Sequence, residues 1–501
     1  MSSPLKKLAG QTAIYGLSSI LGRFLNYLLT PLYTSEQVFS PDQYGIITEM
    51  YAYVAFLVVL LTYGMETAFF RYFSAQKENG DQKVFSTALV SLIATSFAFI
   101  AIVSAFAQPI AETLGYPNDQ EYISWFGIIV GLDALVAVPL AKLRAENKAF
   151  RFAFINIAFI GVNIGLNLFF LAYCLPKYQS GDINWIVETF YDPETGVGYV
   201  FIANLIASAV RFVLMLPDML KGRFRFDKVI WRKMVLYALP LLVAGLAGIV
   251  NETLDRAMLK WMLIGEQGEL MTMTQLGIYG ACYKLSIVIT LCIQAYRYAA
   301  EPFFFDQAES SQARATYARM LHLFFAFVLF VFLGVTLFID FFKYFIPNKA
   351  YWEGLDIVPV LLLANVFLGV YYNLSVWYKL TDKTKYGSFI AIGGALLTIG
   401  LNLALIPVLG FRGSAWATLL CYFSMAAASY LIGQKFYPVP YQLDKLGGYF
   451  ALAMMIFFGA RYLPEFEPGL KYMVHGLLTG LFAIIVYYFE FYKARRDAPS
   501  D

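Results

Sequence analysis

The chain has 501 residues, of which 59% are hydrophobic, 18% aromatic and 14% charged, with a mean hydropathy of +0.62 and a formal net charge of +3. Soluble domains average about 25% charged residues, and a soluble globule of this length has too little interior to hide so much apolar surface. Soluble, disordered, collagenous and disulfide-scaffold classes are therefore excluded, which leaves a polytopic membrane protein.

About 20 mostly apolar residues cross a bilayer as a helix. In chain order the predicted spans are 9–33, 46–70, 84–108, 121–142, 152–175, 197–217, 235–262, 276–299, 317–340, 354–378, 386–408, 413–434, 446–462 and 470–490, fourteen in all. The first follows Lys6 and Lys7 but is too long for a signal peptide and carries Arg23, so it is expected to be retained. Lys and Arg crowd the alternate loops that put the N-terminus in the cytoplasm. Their densest cluster is Lys221, Arg223, Arg225, Lys228, Arg232 and Lys233 in the loop 218–233, while Arg256 and Lys260 count on the opposite side. This bias predicts that both termini are cytoplasmic. Cys174, Cys282, Cys292 and Cys421 lie in or beside apolar stretches without a CxxC spacing, and the two histidines, His322 and His475, sit on different spans. The sequence therefore calls for no cofactor, no metal site and no catalytic triad.

Two segments repeat. Residues 143–170 align without a gap to 378–405, both closing on IGLNL, which puts Asn167 onto Asn402. At nearly the same offset Leu21-Gly22-Arg23 matches Leu254-Asp255-Arg256, and Gly45 matches Gly277. An internal repeat of six spans keeps its membrane orientation and implies two lobes about an axis along the membrane normal. The expectation is an all-α membrane protein of about 14 helices in two six-helix lobes, 1–222 and 223–435, around a central cavity, followed by 436–501 with two further helices and a tail.

Ionisable and amide groups inside spans face a partner or a cavity, because hydrocarbon rejects them. Thr12, Ser19, Arg23, Asn26 and Thr30 share one face of the first helix, either lining a cavity or contacting another helix. Asn156, Asn163 and Asn167 form a similar face on the fifth span, to serve as helix–helix glue or substrate contacts. Glu252 and Arg256 are i,i+4 neighbours, Arg256 is the repeat counterpart of Arg23, and Lys284 lies in the eighth span. The acids within spans are Glu49, Glu66 and Asp133. Asp133 is expected to pair with an arginine or to carry a coupling proton, and Glu66 to pair with Arg71.

The motifs TAIYGLSSILGRFLNYLLTPLYT, YG at 44–45, GMETAFFRYF at 64–73 and the two IGLNL segments resemble the polysaccharide-export (O-unit) flippases of the multidrug/oligosaccharidyl-lipid/polysaccharide exporter superfamily. The resemblance implies a fourteen-helix, two-lobed protein of the bacterial inner membrane. It would move undecaprenyl-diphosphate-linked oligosaccharides to the periplasmic leaflet for surface polysaccharides such as lipopolysaccharide O-antigen. It matches Arg23 to a first-helix arginine that holds a diphosphate. Asn26, Arg256, Lys284, Asn167 and Asn402 complete the expected substrate contacts, with Asp133 and Glu66 for coupling. Membrane lipids and, on the cytoplasmic side, polymerase and glycosyltransferase partners are expected, and nucleic acid is not. Two alternatives stand beside it: a cation-coupled exporter of small amphipathic molecules, and a membrane glycosyltransferase or ligase on the same carrier. The longest outer loop, 176–196, is short for such an enzyme, and neither DxD nor GxxxxGK[ST] occurs, so a transporter rather than an enzyme is expected.

Overall fold

The computed structural model describes residues 16, 20–75, 81–221, 224–307, 310, 312–464 and 467–493. Thr12, Ser19 and Arg223 lie outside them. Among the described residues every regular element is helical. Helix α1 covers residues 20–27 with a further turn at Thr30–Tyr33. The helices that follow are α2 (Pro41–Thr62), α3 (Asp81–Ala105), α4 (Gln120–Ala145), α5 (Ala149–Asn167), α6 (Gly198–Leu220) and α7 (Lys228–Gln267). After them come α8 (Glu269–Asp306), α9 (Ala313–Leu337), α10 (Val358–Leu374), α11 (Thr384–Leu409), α12 (Phe411–Phe436), α13 (Leu443–Ala460) and α14 (Pro468–Tyr487). Beyond α1, 13 helices of the described residues are long and apolar enough to cross a membrane.

Local chemistry sets several boundaries. Pro41 opens α2 with its fixed φ, and the Ser40 amide donates to Gln43 Oε1 at 3.2 Å in a capping box. Left-handed Tyr63 and Gly64 interrupt the second span before it resumes as Met65–Ala75. At α7 the Asp227 carboxylate accepts from Val229 N at 2.9 Å and Ile230 N at 3.0 Å. That cap starts the helix at Lys228, so Lys228, Arg232 and Lys233 lie on α7, and the basic link is shorter than the loop expected at 218–233. Past Asn167, α5 continues as a π-helical segment, Leu168–Cys174.

Packing divides the chain into two compact units, Met1–Gly277 and Ile278–Asp501. In the first, α4 packs against α2, α3 and α6, α5 packs against α6, and α7 lies along α2. The repeat places α7 at the head of the second lobe, but packing keeps it with the first unit. In the second unit α12 packs on α10 and α11, and α9 contacts α10, α13 and α14. Cys174, Cys282 and Cys421 are buried and Cys292 half-buried, all four as free thiols.

The tightest crossing within the first unit joins α2 to the start of α8. A Cβ on Gly45 would sit 2.2 Å from the Met273 carbonyl oxygen, and one on Gly277 would sit 1.7 Å from the Pro41 carbonyl oxygen. These are the two glycines that the repeat pairs with each other, and each lets the backbone facing it come within contact.

Candidate functional site

Three polar networks and one exposed arginine stand out in the first unit. The first network joins α1 to α5. Gly22 brings the helices together, since its Cβ would meet Ile160 Cδ1 at 2.6 Å. Asn163 Nδ2 donates to Asn26 Oδ1 at 3.2 Å, Asn167 Nδ2 donates to the Asn163 carbonyl at 2.8 Å, and Tyr33 OH donates to Asn167 Oδ1 at 2.9 Å. Asn167 is fully buried, with both ends of its amide bonded. Asn402 in the second unit repeats the device: its Nδ2 donates to the Thr398 carbonyl at 2.8 Å, and Ser414 Oγ donates to its Oδ1 at 2.9 Å. Each repeat-related asparagine thus bonds back one turn along its own helix and takes a hydroxyl from another. That geometry locks helices together and leaves neither amide open. Asn156, the first member of the same face, bonds the Phe152 carbonyl at 3.1 Å.

Arg23 lies three residues before Asn26 and is exposed. Thr30, expected on the same polar face, is buried. None of the ion pairs or side-chain hydrogen bonds among the described residues involves Arg23.

The second network holds Asp133 on α4. Ser208 Oγ on α6 donates to Asp133 Oδ1 at 3.0 Å, and Arg211 Nη2, also on α6, pairs with the same oxygen. Arg211 stacks over the Phe159 ring at 4.1 Å. Arg211 lies within the span predicted at 197–217, now α6, but was not among the candidate site residues. Glu66 is also differently partnered than expected: Arg144 on α4 pairs with it, and Arg71 stacks on the Tyr237 ring at 4.3 Å. Five residues along a helix turn Arg71 well away from Glu66, whereas α4 packs alongside.

The third network was missed in the sequence. Lys260 Nζ donates to Glu49 Oε2 at 2.8 Å and to the Leu114 carbonyl at 2.5 Å, with the lysine 2% and the glutamate 0% exposed. Tyr53 OH donates to Glu49 Oε1 at 2.8 Å, and Tyr116 OH donates to Oε2. Burial first, then the neighbouring carboxylate, push the Tyr116 phenol well above its ordinary value, so it stays a donor. The charge count had set Lys260 on the outer side. Two opposite charges inside spans were the available signal, since each needs a partner there.

Arg256 does not pair with the Glu252 side chain. Its Nη1 donates to the Glu252 carbonyl at 2.6 Å and lies 3.4 Å from Asp255 Oδ1. Lys284, half-buried on α8, belongs to the second unit with Asn402, while the other expected site residues belong to the first.

Residues 37–342 match the model of a family described as polysaccharide biosynthesis protein. The chain belongs to that family. Its fold is shared with solved transporters. A structure titled lipid II flippase MurJ, in an inward closed conformation, is 14% identical, with 95% of this chain and 98% of that one covered at a TM-score of 0.72. An inward-facing multidrug resistance MATE family transporter of the MOP superfamily is 13% identical, over 85% of this chain and 96% of that one, with a TM-score of 0.63. A MOP superfamily transporter from Pyrococcus furiosus is 14% identical over 89% and 99%, at 0.57. No curated protein matches the sequence. The family member is thus a multi-pass membrane protein with the MurJ/MATE fold.

Proposed function

We propose that the protein flips undecaprenyl-diphosphate-linked oligosaccharide from the cytoplasmic to the periplasmic leaflet of the bacterial inner membrane by alternating access between two lobes, with both termini cytoplasmic. One observation carries this reading: a polysaccharide-biosynthesis family member with a transporter fold holds an exposed guanidinium, Arg23, in no ion pair among the described residues, beside the Asn26–Asn163 contact of its first helix. A diphosphate is costly in hydrocarbon and is well matched by a forked cationic donor. Arg256 and Lys284 add cationic charge to the pathway, Asn26 contacts sugar or phosphate, and Asn167 and Asn402 hold their helices in place. The protein acts as a transporter, with a polymerase and glycosyltransferases as its biosynthetic partners. Deleting the gene should accumulate lipid-linked oligosaccharide on the inner leaflet; an unchanged distribution would favour an exporter of small amphipathic molecules.

Purified Arg23→Ala protein should bind the lipid-linked oligosaccharide about tenfold to a hundredfold more weakly, the loss expected for one charge-assisted hydrogen bond. Arg23→Lys should keep part of the affinity, because charge remains while the fork is lost. Folding should be unaffected, since the exposed side chain makes no ion pair among the described residues. Wild-type affinity in Arg23→Ala would end the phosphate role.

Asp133 is the coupling group of this proposal, its proton exchanging against the Arg211 contact, with Glu66 secondary. Transport by Asp133→Asn should then be slower than by Asp133→Glu at equal protein level. If Asp133→Asn instead lowers the folded yield and adding Arg211→Gln restores it, the pair is structural.

A further inference from the structure

A basin of about 720 Å³ opens within the second unit, where the last turn of α9, the approach to α10, the end of α13 and the first turn of α14 meet. None of the residues assigned to the flipping reaction lines it. These helix ends lie at one end of their spans, the depth at which lipid headgroups sit.

Its charges do not cancel. Asp340 accepts from Lys343 Nζ at 2.8 Å and also from Lys471, so one carboxylate is shared by two ammonium groups. These two bonds hold its carboxyl below the usual range, which keeps the acid ionised and leaves one positive charge in excess. Asp356 is bound by Arg412 Nε at 2.6 Å and brings no net negative charge. Arg461 stacks on the Phe457 ring at 4.6 Å and makes no ion pair among the described residues. A further contribution comes from α14, a 20-residue helix whose first turn, with Pro468 and Lys471, lines the basin without a side-chain cap. Its amide end is the positive pole of the helix. The remaining wall combines apolar side chains, among them Leu337, Leu355 and Phe457, with Tyr344, Tyr472 and His475. The second ammonium on Asp340, the Arg461 guanidinium and the α14 helix start, beside apolar side chains, match a ligand with a negative head and a hydrocarbon body.

We infer that this basin binds the phosphodiester headgroup of an anionic membrane lipid, with Arg461, Lys343 and Lys471 as its cationic donors. The basin shares no residue with the proposed substrate contacts, so the inference stands whether or not the protein is a flippase.

The test uses delipidated full-length protein, titrated with phosphatidylglycerol and with phosphatidylcholine and followed by native mass spectrometry. Inorganic phosphate is added as a third arm. Phosphatidylglycerol should be retained in preference to phosphatidylcholine. Arg461→Gln and Lys343→Gln should each weaken its retention about fivefold, the effect of one juxtamembrane cation, with phosphatidylcholine unchanged. Arg461→Gln removes no ion pair among the described residues, so its thermal midpoint should match wild type; it decides the matter alone if Lys343→Gln folds poorly. Equal retention of the two lipids, or wild-type retention by Arg461→Gln, would overturn the inference. So would inorganic phosphate binding as tightly as phosphatidylglycerol, which would mark a free-anion site.

Discussion

Lys260→Ala should destabilise the protein by about 3–5 kcal/mol, the cost of breaking a buried ion pair from one side. The ammonium is the only cation on the Glu49 carboxylate among the described residues, and that carboxylate is 0% exposed. With Lys260 gone, Tyr53 and Tyr116 still donate to Glu49, but no opposite charge remains and water cannot reach it. The Leu114 carbonyl loses a donor as well, freeing the end of the short helix Ala107–Leu114, between α3 and α4, from α7. Removing both charges, as Lys260→Met with Glu49→Gln, should recover most of the loss, because a buried pair replaced by well-packed neutral groups is often neutral in stability. Thermal unfolding of the purified variants in detergent is the measurement. A single variant as stable as wild type, or a double variant no better than the single, would show that the charges are not coupled.

Gly277→Val should leave almost no folded protein, and Gly45→Ala should cost about 1–3 kcal/mol or more, the range for overpacking a close-packed contact. At both positions the obstacle is a backbone carbonyl, at 1.7 Å and 2.2 Å from the new Cβ, so no rotamer change relieves it and α2 must separate from α8. Gly165→Ala and Gly400→Ala provide the contrast. Both glycines belong to the repeated IGLNL segments, yet a Cβ on either meets nothing within 4 Å. Alanine there should be neutral or stabilising, by up to about 1 kcal/mol, because it favours helix interiors over glycine. Folded yield by size-exclusion chromatography separates the two classes; equal yields for Gly277→Val and Gly165→Ala would mean the crossing has room to give.

The amino-acid sequence by itself determined the membrane class, the positions of the spans and the repeated positions. These follow from the length and periodicity of apolar stretches, which the bilayer reads without help from neighbours. Asn167 and Asn402 could be matched by alignment alone, and both proved to make the same pair of bonds. Partnership was different. Glu49, Glu66 and Asp133 were visible as acids in spans, but the bases that neutralise them, Lys260, Arg144 and Arg211, lie on helices far along the chain. Choosing among them depends on how each helix is rotated and how deep each residue sits. In a helix such as α4, apolar over most of its length, the sequence scarcely marks a buried face. Only packing fixed those rotations: the glycine crossings drew α2 to α8 and α1 to α5, the Asp227 cap carried Lys228 onto α7, and α7 lying along α2 turned Lys260 inward to meet Glu49.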